Sequence, residues 1–168
     1  MKVLVFGNSG SGKTWFAQRL AAKQGLRVLD LDSVVWSPTE YAVFRPDADI
    51  IKDLSQFVQS AEGWVVEGCY GRWMEHLRPH CTEMVFMNPG EAVCLRNCAA
   101  RPWERHKYAS KQEQDAKLPL LLDWVRGYYS RSDDMSLRAH RRLFDSFQGL
   151  KREINLCGPL RKTLRPLW

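Results

Sequence analysis

The sequence contains no long run of apolar residues. Hydrophobic residues make up 45% of its 168 positions, yet no segment approaches the roughly 20 consecutive apolar residues that a membrane-spanning helix needs. We find no internal repeat and no low-complexity segment, and we expect no signal peptide ahead of the first apolar segment. These absences argue against a membrane-spanning helix and a repeat architecture. They predict one globular domain over residues 1–168.

Paired cysteine motifs are also missing. The five cysteines are an odd number and form no C-x-x-C pair, which is typical of reduced thiols rather than of a disulfide scaffold. We therefore expect a cytoplasmic protein. The formal net charge is +6, and the basic residues of the second half are spread out rather than clustered. This charge is compatible with nucleic-acid binding and equally with arginines that hold phosphate substrates.

One stretch carries a specific chemical signal. The motif G-x-x-x-x-G-K-T is formed by Gly7, Asn8, Ser9, Gly10, Ser11, Gly12, Lys13 and Thr14. A β-prone segment precedes it and a helical pattern over 15–24 follows, so the motif lies between a strand and a helix. Three glycines let the backbone aim its N–H groups inward, and the helix N-terminus adds positive potential for a polyphosphate. Lys13 is predicted to bridge the β- and γ-phosphates of a nucleotide, and Thr14 to bind Mg²⁺.

Apolar strands alternate with helical patterns along the rest of the chain. Strands are predicted at 2–6, 27–32, 64–66, 83–87 and 153–157, and helical patterns resume at 118 after a polar stretch. This alternation predicts a parallel sheet with helices on both faces. Ligands of such sheets bind beyond the carboxyl ends of the strands, which is where the glycine-rich loop lies.

Three acidic residues follow two neighbouring predicted strands. Asp30 and Asp32 end the second strand and would point the same way if the strand persists to Asp32. One of them could orient the acceptor hydroxyl as a base and Asp32 could also help to hold Mg²⁺. Glu67 follows the third strand, where an acid would reach Mg²⁺ through water. The alternatives are a pair of aspartates that caps the next turn and an ordinary turn glutamate.

Arginines and a polar segment are candidates for closing the site. Phosphoryl transfer favours arginines that neutralise the transferred group, and the candidates are Arg72 and Arg101, with Arg96 and Arg105 as further ones. Residues 102–117 are polar, show little helical periodicity and are predicted to form a mobile lid. The alternative is that these arginines are solvated side chains on helix surfaces. The four histidines show no evident partner and are expected at the surface.

With these residues the chain resembles the small P-loop kinases, such as adenylate, shikimate and gluconate kinases. Within them it looks most like the adenylate-kinase-like group called DNA topology modulation proteins. The resemblance is carried by residues 7–14, 29–36 and 64–70, by the helix with Arg96 and Arg101, and by residues 120–129. It implies a three-layer α/β/α P-loop NTPase fold with a five-stranded parallel sheet in the order 2-3-1-4-5. It also implies a lid after strand four, use of ATP and Mg²⁺, and an acceptor pocket between the strand-two loop and the segment after strand three.

The acceptor side differs from adenylate kinases. Those enzymes carry Asp-Gly-Phe-Pro-Arg after strand three, whereas residues 67–72 read Glu-Gly-Cys-Tyr-Gly-Arg, without the proline and with the arginine one place later. The sequence therefore predicts an ATP-dependent kinase that phosphorylates a nucleotide or a small hydroxylated molecule, without favouring AMP. The alternative is an ATP-binding regulatory protein that contacts nucleic acid through a basic lid and tail. A GTPase is disfavoured because the Asn-Lys-x-Asp motif is absent.

Overall fold

A parallel β-sheet forms the centre of the computed structural model, which describes residues 1–39, 43–105 and 108–155. The strands are β1 (Lys2–Gly7), β2 (Arg27–Asp30), β3 (Trp64–Gly68), β4 (Glu83–Met87) and β5 (Leu150–Ile154). Every neighbouring pair is parallel, and the strand order is β2-β3-β1-β4-β5. The predicted sheet topology is confirmed.

Seven helices are described around this sheet. They are α1 (Lys13–Gln24), α2 (Asp32–Val35), α3 (Asp47–Gln59), α4 (Gly71–Leu77), α5 (Glu91–Ala99), α6 (Lys111–Gly127) and α7 (Leu137–Ser146). A single 3₁₀ turn at Arg78–His80 follows α4. In the described ranges, no helix has both the length and the apolar character required to cross a bilayer.

The strand sequences place the sheet in the middle of three layers. Alternate residues of a strand face opposite sides of a sheet, so Val3 and Val5 pack with α1, whereas Leu4 and Phe6 pack into the core of the other face. That second core is completed by apolar residues of α3, α4 and α7. Both faces of the central strands are thus covered, which explains their continuous apolar sequences. The arrangement is the α/β/α P-loop fold that the sequence predicts.

The second strand is shorter than predicted. β2 ends at Asp30, and Asp32 is the first residue of the short helix α2. The carboxylate of Asp30 accepts a hydrogen bond from the Asp32 backbone N–H at 2.9 Å. This local bond competes with a continuing strand ladder and starts a turn instead. The prediction that the strand extends to Asp32 is therefore wrong, and the condition under which both aspartates would point the same way is not met.

The fifth strand lies three residues earlier than predicted. It covers Leu150–Ile154 at the edge of the sheet, where Leu150 is 71% exposed. An edge strand tolerates charged residues, and Arg152 forms an ion pair with the buried Glu83 of β4. The polar sequence of β5 therefore hides its strand character. The basic tail on which the nucleic-acid alternative depends lies outside the described residues.

The segment predicted as a lid is half helical. Residues 102–110 are described, apart from 106–107, as irregular structure and turns, but α6 already begins at Lys111 rather than near 118. Ser110 caps this helix, because its hydroxyl accepts a hydrogen bond from the Glu113 N–H at 3.1 Å. The Glu113 carboxylate in turn accepts one from the Ala109 N–H at 2.9 Å. These two bonds satisfy backbone N–H groups at the start of α6 and so stabilise the helix end. The polar sequence therefore forms a helix despite its weak apolar periodicity.

Candidate active site

The glycines of residues 7–14, called the P-loop below, are required by close backbone packing. Gly7 has φ +148° and Gly10 has φ +77°. A Cβ on Gly7 would lie 2.2 Å from the carbonyl oxygen of Met87, and one on Gly10 would lie 2.3 Å from that of Cys94. No side chain fits at these distances, so the loop can pass this close to β4 and α5 only with glycine.

Asparagine side chains brace the P-loop from both sides. The Asn8 amide donates to the backbone carbonyl of Val125 in α6 at 3.0 Å, and its oxygen accepts from the Ser9 N–H at 2.8 Å. From α5, the Asn97 amide donates to the Gly10 carbonyl at 2.8 Å. The loop is therefore held in shape by the protein itself, and a loop held in this way suits the binding of an anion.

Two groups of the P-loop fit an anionic ligand. The Lys13 ammonium donates to the Asn8 carbonyl at 2.8 Å, which keeps this charge over the loop. The Ser11 hydroxyl is buried, and among the described residues it has no hydrogen-bond partner. Buried polar groups are almost always paired, so an unpaired hydroxyl inside the loop suits a phosphate oxygen. Lys13 also opens α1, whose N-terminus carries positive potential.

A buried glutamate joins the P-loop to the neighbouring strand. The Thr14 hydroxyl donates to a carboxylate oxygen of Glu67 at 2.6 Å, and Glu67 is only 2% exposed. Burial raises the pKa of Glu67, the charge of Lys13 opposes this, and the charge of Asp30 adds to it. Glu67 thus lies among the predicted phosphate and acceptor groups.

The pairing of Thr14 with Glu67 also fits a magnesium ion. A hydroxyl and a carboxylate are hard oxygen ligands, and Mg²⁺ commonly uses one or two of them together with phosphates and water. Across the described ranges, no group of three or more His, Cys, Asp and Glu side chains could hold a metal without such help. A hydroxyl and one carboxylate would leave the remaining positions around Mg²⁺ to phosphates and water.

The two aspartates occupy different positions at the same edge of the sheet. Asp30 lies opposite Glu67 in the pairing of β2 with β3, and its carboxylate caps the turn into α2. Asp32 lies one turn further on and accepts a hydrogen bond from the Tyr70 hydroxyl at 2.5 Å. Asp30 thus does what the capping alternative describes, and the catalytic roles of both residues stay predictions.

The two predicted arginines are held by nearby carboxylates. The Arg72 guanidinium forms an ion pair with Asp47 at the start of α3 and lies 4.7 Å from the ring centre of Trp73. Arg101 follows α5, and its guanidinium nitrogen lies 3.4 Å from a carboxylate oxygen of Glu104. The Arg72 pair is exposed, and exposed ion pairs are weak, about 0–1 kcal/mol, so Arg72 could exchange its partner for a phosphate. The Arg101 pair is half-buried. Their catalytic roles stay predictions.

The histidine expectation is wrong for His140, which is completely buried. Burial lowers its pKa to about 3, so the ring is neutral. Its Nδ1 accepts from the Tyr128 hydroxyl at 2.8 Å, and its Nε2–H donates to the Cys69 carbonyl at 2.8 Å. A sequence signal did exist, because His140 shares a helix face with the apolar Leu143 and Phe144. The histidine fixes the loop that follows Glu67.

The tertiary arrangement matches that of solved kinases. A gluconokinase from Sinorhizobium meliloti 1021 aligns over 98% of this chain and 87% of its own, with a TM-score of 0.59 and 18% identity. An unliganded sugar kinase from Janibacter sp. HTCC2649 aligns over 94% and 86%, with a TM-score of 0.55 and 17% identity. The chain has the three-layer α/β/α fold of P-loop NTPases. No protein-family model matches the sequence, and a search of curated proteins finds no match.

This fold accounts for the position of the candidate site. In this fold the loop after β1 and the acids after β2 and β3 meet at the carboxyl edge of the sheet, as observed for Lys13, Asp30 and Glu67. The likeness is to the fold of sugar kinases in general. The finer resemblance to the DNA topology modulation group stays a prediction.

Proposed function

We propose that this protein is an ATP-dependent kinase that transfers the γ-phosphoryl group to a hydroxyl of a nucleotide or a small metabolite. The observation that carries the proposal is the hydrogen bond between Thr14 and Glu67. This bond joins two hard oxygen groups near the charge of Lys13, which supports the arrangement that phosphoryl transfer from ATP needs. The gluconokinase and sugar-kinase neighbours support a small-molecule acceptor.

The P-loop binds and neutralises the phosphates in this proposal. Lys13 exchanges the Asn8 carbonyl for phosphate oxygens, and the loop N–H groups and the Ser11 hydroxyl donate to others. Thr14 and Glu67 would hold Mg²⁺, and Asp32, whose charge acts on Glu67, would assist. The bound ion supplies positive charge that offsets the charge of the transferred group.

Asp32 orients the acceptor in this proposal. The acceptor oxygen forms a bond to the γ-phosphorus, the bond from that phosphorus to the bridging oxygen breaks, and the acceptor proton passes to the Asp32 carboxylate. ADP and the phosphorylated acceptor are the products. Arg72 and Arg101 approach the transferred group from the acceptor side and from the lid. The lid comprises residues 102–110 and the first turns of α6 up to 117, and it excludes water when closed.

An acceptor screen tests the proposal. Wild-type protein with ATP and Mg²⁺ is mixed with nucleosides, nucleoside monophosphates and hydroxylated metabolites including gluconate, and ADP formation is followed for each. Acceptor-dependent ADP formation is expected with at least one compound. If no compound raises ADP formation and DNA binds with a steep dependence on salt, the regulatory alternative is favoured instead.

The Lys13→Ala variant links the activity to the P-loop. Removing one preorganised donor to the transferred group costs about 10²–10³-fold in kcat, and we expect a loss of this size together with weaker ATP binding. Lys23→Ala is the matched control, because Lys23 is an exposed residue of the same helix. Activity that survives Lys13→Ala unchanged would show that the P-loop does not carry the chemistry.

A further inference from the structure

The hydroxyl of Tyr70 lies between two polar groups at the acceptor side of the site. Its oxygen is 2.5 Å from Oδ1 of Asp32 and 2.7 Å from the indole Nε1 of Trp36. Tyr70 is buried, with only 3% of its surface exposed to solvent. Neither Tyr70 nor Trp36 is a candidate on sequence grounds, because their partners are 38 and 34 positions away along the chain.

The direction of these two hydrogen bonds is fixed by chemistry. An indole N–H can only donate, so the Tyr70 oxygen is the acceptor of that bond. The single hydroxyl proton is then available for Asp32, whose ionised carboxylate can only accept. Burial and the charge of Asp32 raise the pKa of Tyr70, so the hydroxyl keeps this proton at neutral pH. The chain of bonds therefore runs from Trp36 through Tyr70 to Asp32.

The backbone on each side of Tyr70 is held in place. The preceding carbonyl, that of Cys69, accepts a hydrogen bond from the buried His140. The following N–H, that of Gly71, donates to the Asp134 carbonyl at 3.1 Å. A Cβ on Gly71 would lie 2.2 Å from this carbonyl oxygen, so the close approach requires glycine. The phenol is thus presented to Asp32 from a fixed position.

The indole of Trp36, which donates to Tyr70, is fixed as well. Trp36 follows α2 directly, and its ring stacks on Phe44 with the ring centres 4.2 Å apart. Tyr70 meets the Trp36 ring edge to face at 6.3 Å. Stacked aromatic pairs contribute roughly 0.5–1.5 kcal/mol beyond their burial. Side chains locked in this way can hold a catalytic group within the small tolerance that transfer reactions need.

We propose that Tyr70 is a positioning residue of the kinase, whose hydroxyl, backed by the Trp36 indole, holds Asp32 in the orientation that receives the acceptor hydroxyl. The inference rests on the function proposed above. The phosphoryl group is transferred only when the acceptor oxygen is aligned with the phosphorus. A misplacement of the acceptor by about 1 Å can lower the rate a hundredfold. Tyr70 acts through Asp32 and does not itself touch the reacting atoms.

The Tyr70→Phe variant tests this role with the full chain, ATP, Mg²⁺ and the acceptor of the screen that gives the highest rate. We expect kcat to fall about tenfold to a hundredfold, because the ring stays and only the hydrogen bond is lost. The KM for ATP is expected to stay within about twofold, since the hydrogen bonds of the Tyr70 hydroxyl run to Asp32 and Trp36 and not to the P-loop. A wild-type kcat in this variant overturns the role of Tyr70.

Two tryptophan variants provide a matched comparison. Trp36→Phe removes the donor to Tyr70 and is expected to lower kcat by a smaller factor, about threefold to tenfold. Trp64→Phe removes a buried indole N–H that has no partner among the described residues, at the opposite end of β3 from Glu67. We expect Trp64→Phe to change thermal stability and to leave kcat unchanged. Equal losses of kcat in both variants would overturn the specific role of Trp36.

A double-mutant cycle separates positioning from a general structural effect. If Tyr70 works through Asp32, Tyr70→Phe has no further effect on kcat once Asp32→Asn is present. A Tyr70→Phe effect of undiminished size in the Asp32→Asn background overturns the proposal. A wild-type protein that phosphorylates no acceptor overturns the kinase function itself, which is a different result from an active kinase that is indifferent to Tyr70→Phe.

Discussion

At the residue scale, the buried carboxylate of Glu67 lowers the stability of the folded protein at neutral pH. Its oxygen accepts from the Thr14 hydroxyl, yet burial still raises its pKa. A raised folded pKa means that the folded protein binds the proton more tightly than the unfolded chain does. The stability from this group is therefore fully present below the ordinary value of 4.5 and is lost as the pH rises through the raised pKa.

The Glu67→Gln variant should consequently be more stable and less active. At pH 7 the neutral amide removes the cost of a buried charge, so we expect a higher Tm for the nucleotide-free protein. We expect kcat with ATP and Mg²⁺ to fall by about tenfold or more, because a charged metal-site ligand is lost. The exposed Glu62 supplies the control, Glu62→Gln. A lower Tm for Glu67→Gln than for Glu62→Gln would contradict the burial cost.

The Asp32→Asn variant tests the residue assigned to the acceptor. The amide oxygen can still accept from Tyr70, so the fold should be retained, but the amide cannot take up the acceptor proton. We expect ATP affinity to stay within about twofold and kcat to fall about 10²–10⁴-fold, the usual size of a general-base contribution. Titration with ATP and steady-state kinetics measure the two quantities. A parallel loss of ATP affinity would make Asp32 a support of the metal or of the fold.

The strands and helices differ in how well their sequences predict them. The central strands β1, β3 and β4 were predictable because strands buried on both faces need continuous apolar residues. The edge strand β5 was placed wrongly because its charged residues pair with neighbours such as Glu83 instead of packing into a core. The start of α6 was missed although Ser110 and Glu113 form the spacing of a capping box. Local signals thus identify an element when they are read together with its place in the sheet.

The candidate site also contains parts that the sequence predicts and parts that only the folded chain shows. The P-loop was predictable because its glycines and Lys13 act within eight consecutive residues. Asp32 was placed on the wrong element, since the hydrogen bond from its backbone N–H to the Asp30 carboxylate, which ends β2, is not visible in a strand pattern. Tyr70 and His140 were missed because their partners come from distant segments that only the folded chain brings together.

The P-loop as an element tolerates no added methyl group at Gly10. In Gly10→Ala a Cβ would lie 2.3 Å from the Cys94 carbonyl oxygen at a φ of +77°, so both strain and a backbone clash arise. Gly25→Ala is the matched control, because Gly25 has φ +66° and no atom within 4 Å of an added Cβ. We expect Gly25→Ala to cost about 1–2 kcal/mol of unfolding free energy and Gly10→Ala distinctly more. Urea unfolding measures both, and equal losses would contradict the predicted clash.

At the scale of the whole molecule, His140 links the stability of the protein to pH. Its ring packs against Phe6 and Phe86 of the central strands and bonds the loop after β3. Burial lowers its pKa from 6.5 to about 3, and the charges of Lys13 and Arg131 act in the same direction. The stabilising contribution is therefore fully present above pH 6.5 and is lost as the pH falls from 6.5 towards 3, because the unfolded chain takes up the proton.

The His140→Gln variant should flatten this pH dependence. In wild type we expect this residue to add a slope of about 1.4 kcal/mol per pH unit below pH 6.5 to the free energy of unfolding. The glutamine variant loses that slope and some stability at neutral pH. Urea unfolding between pH 7 and pH 4.5 measures it, with His80→Gln as an exposed control that keeps the wild-type slope. Identical slopes in wild type and His140→Gln would show that another group causes the dependence.

The bond from Asn8 to the Val125 carbonyl joins groups 117 positions apart, and this has a consequence for biosynthesis. After the P-loop has been synthesised, the ribosome must still translate more than a hundred residues before the Val125 carbonyl that accepts from Asn8 exists. Nucleotide that meets the nascent polypeptide earlier encounters a loop without its support. Arrested translation products ending before residue 125 should therefore fail to be retained on immobilised ATP, whereas the complete, released chain should be retained.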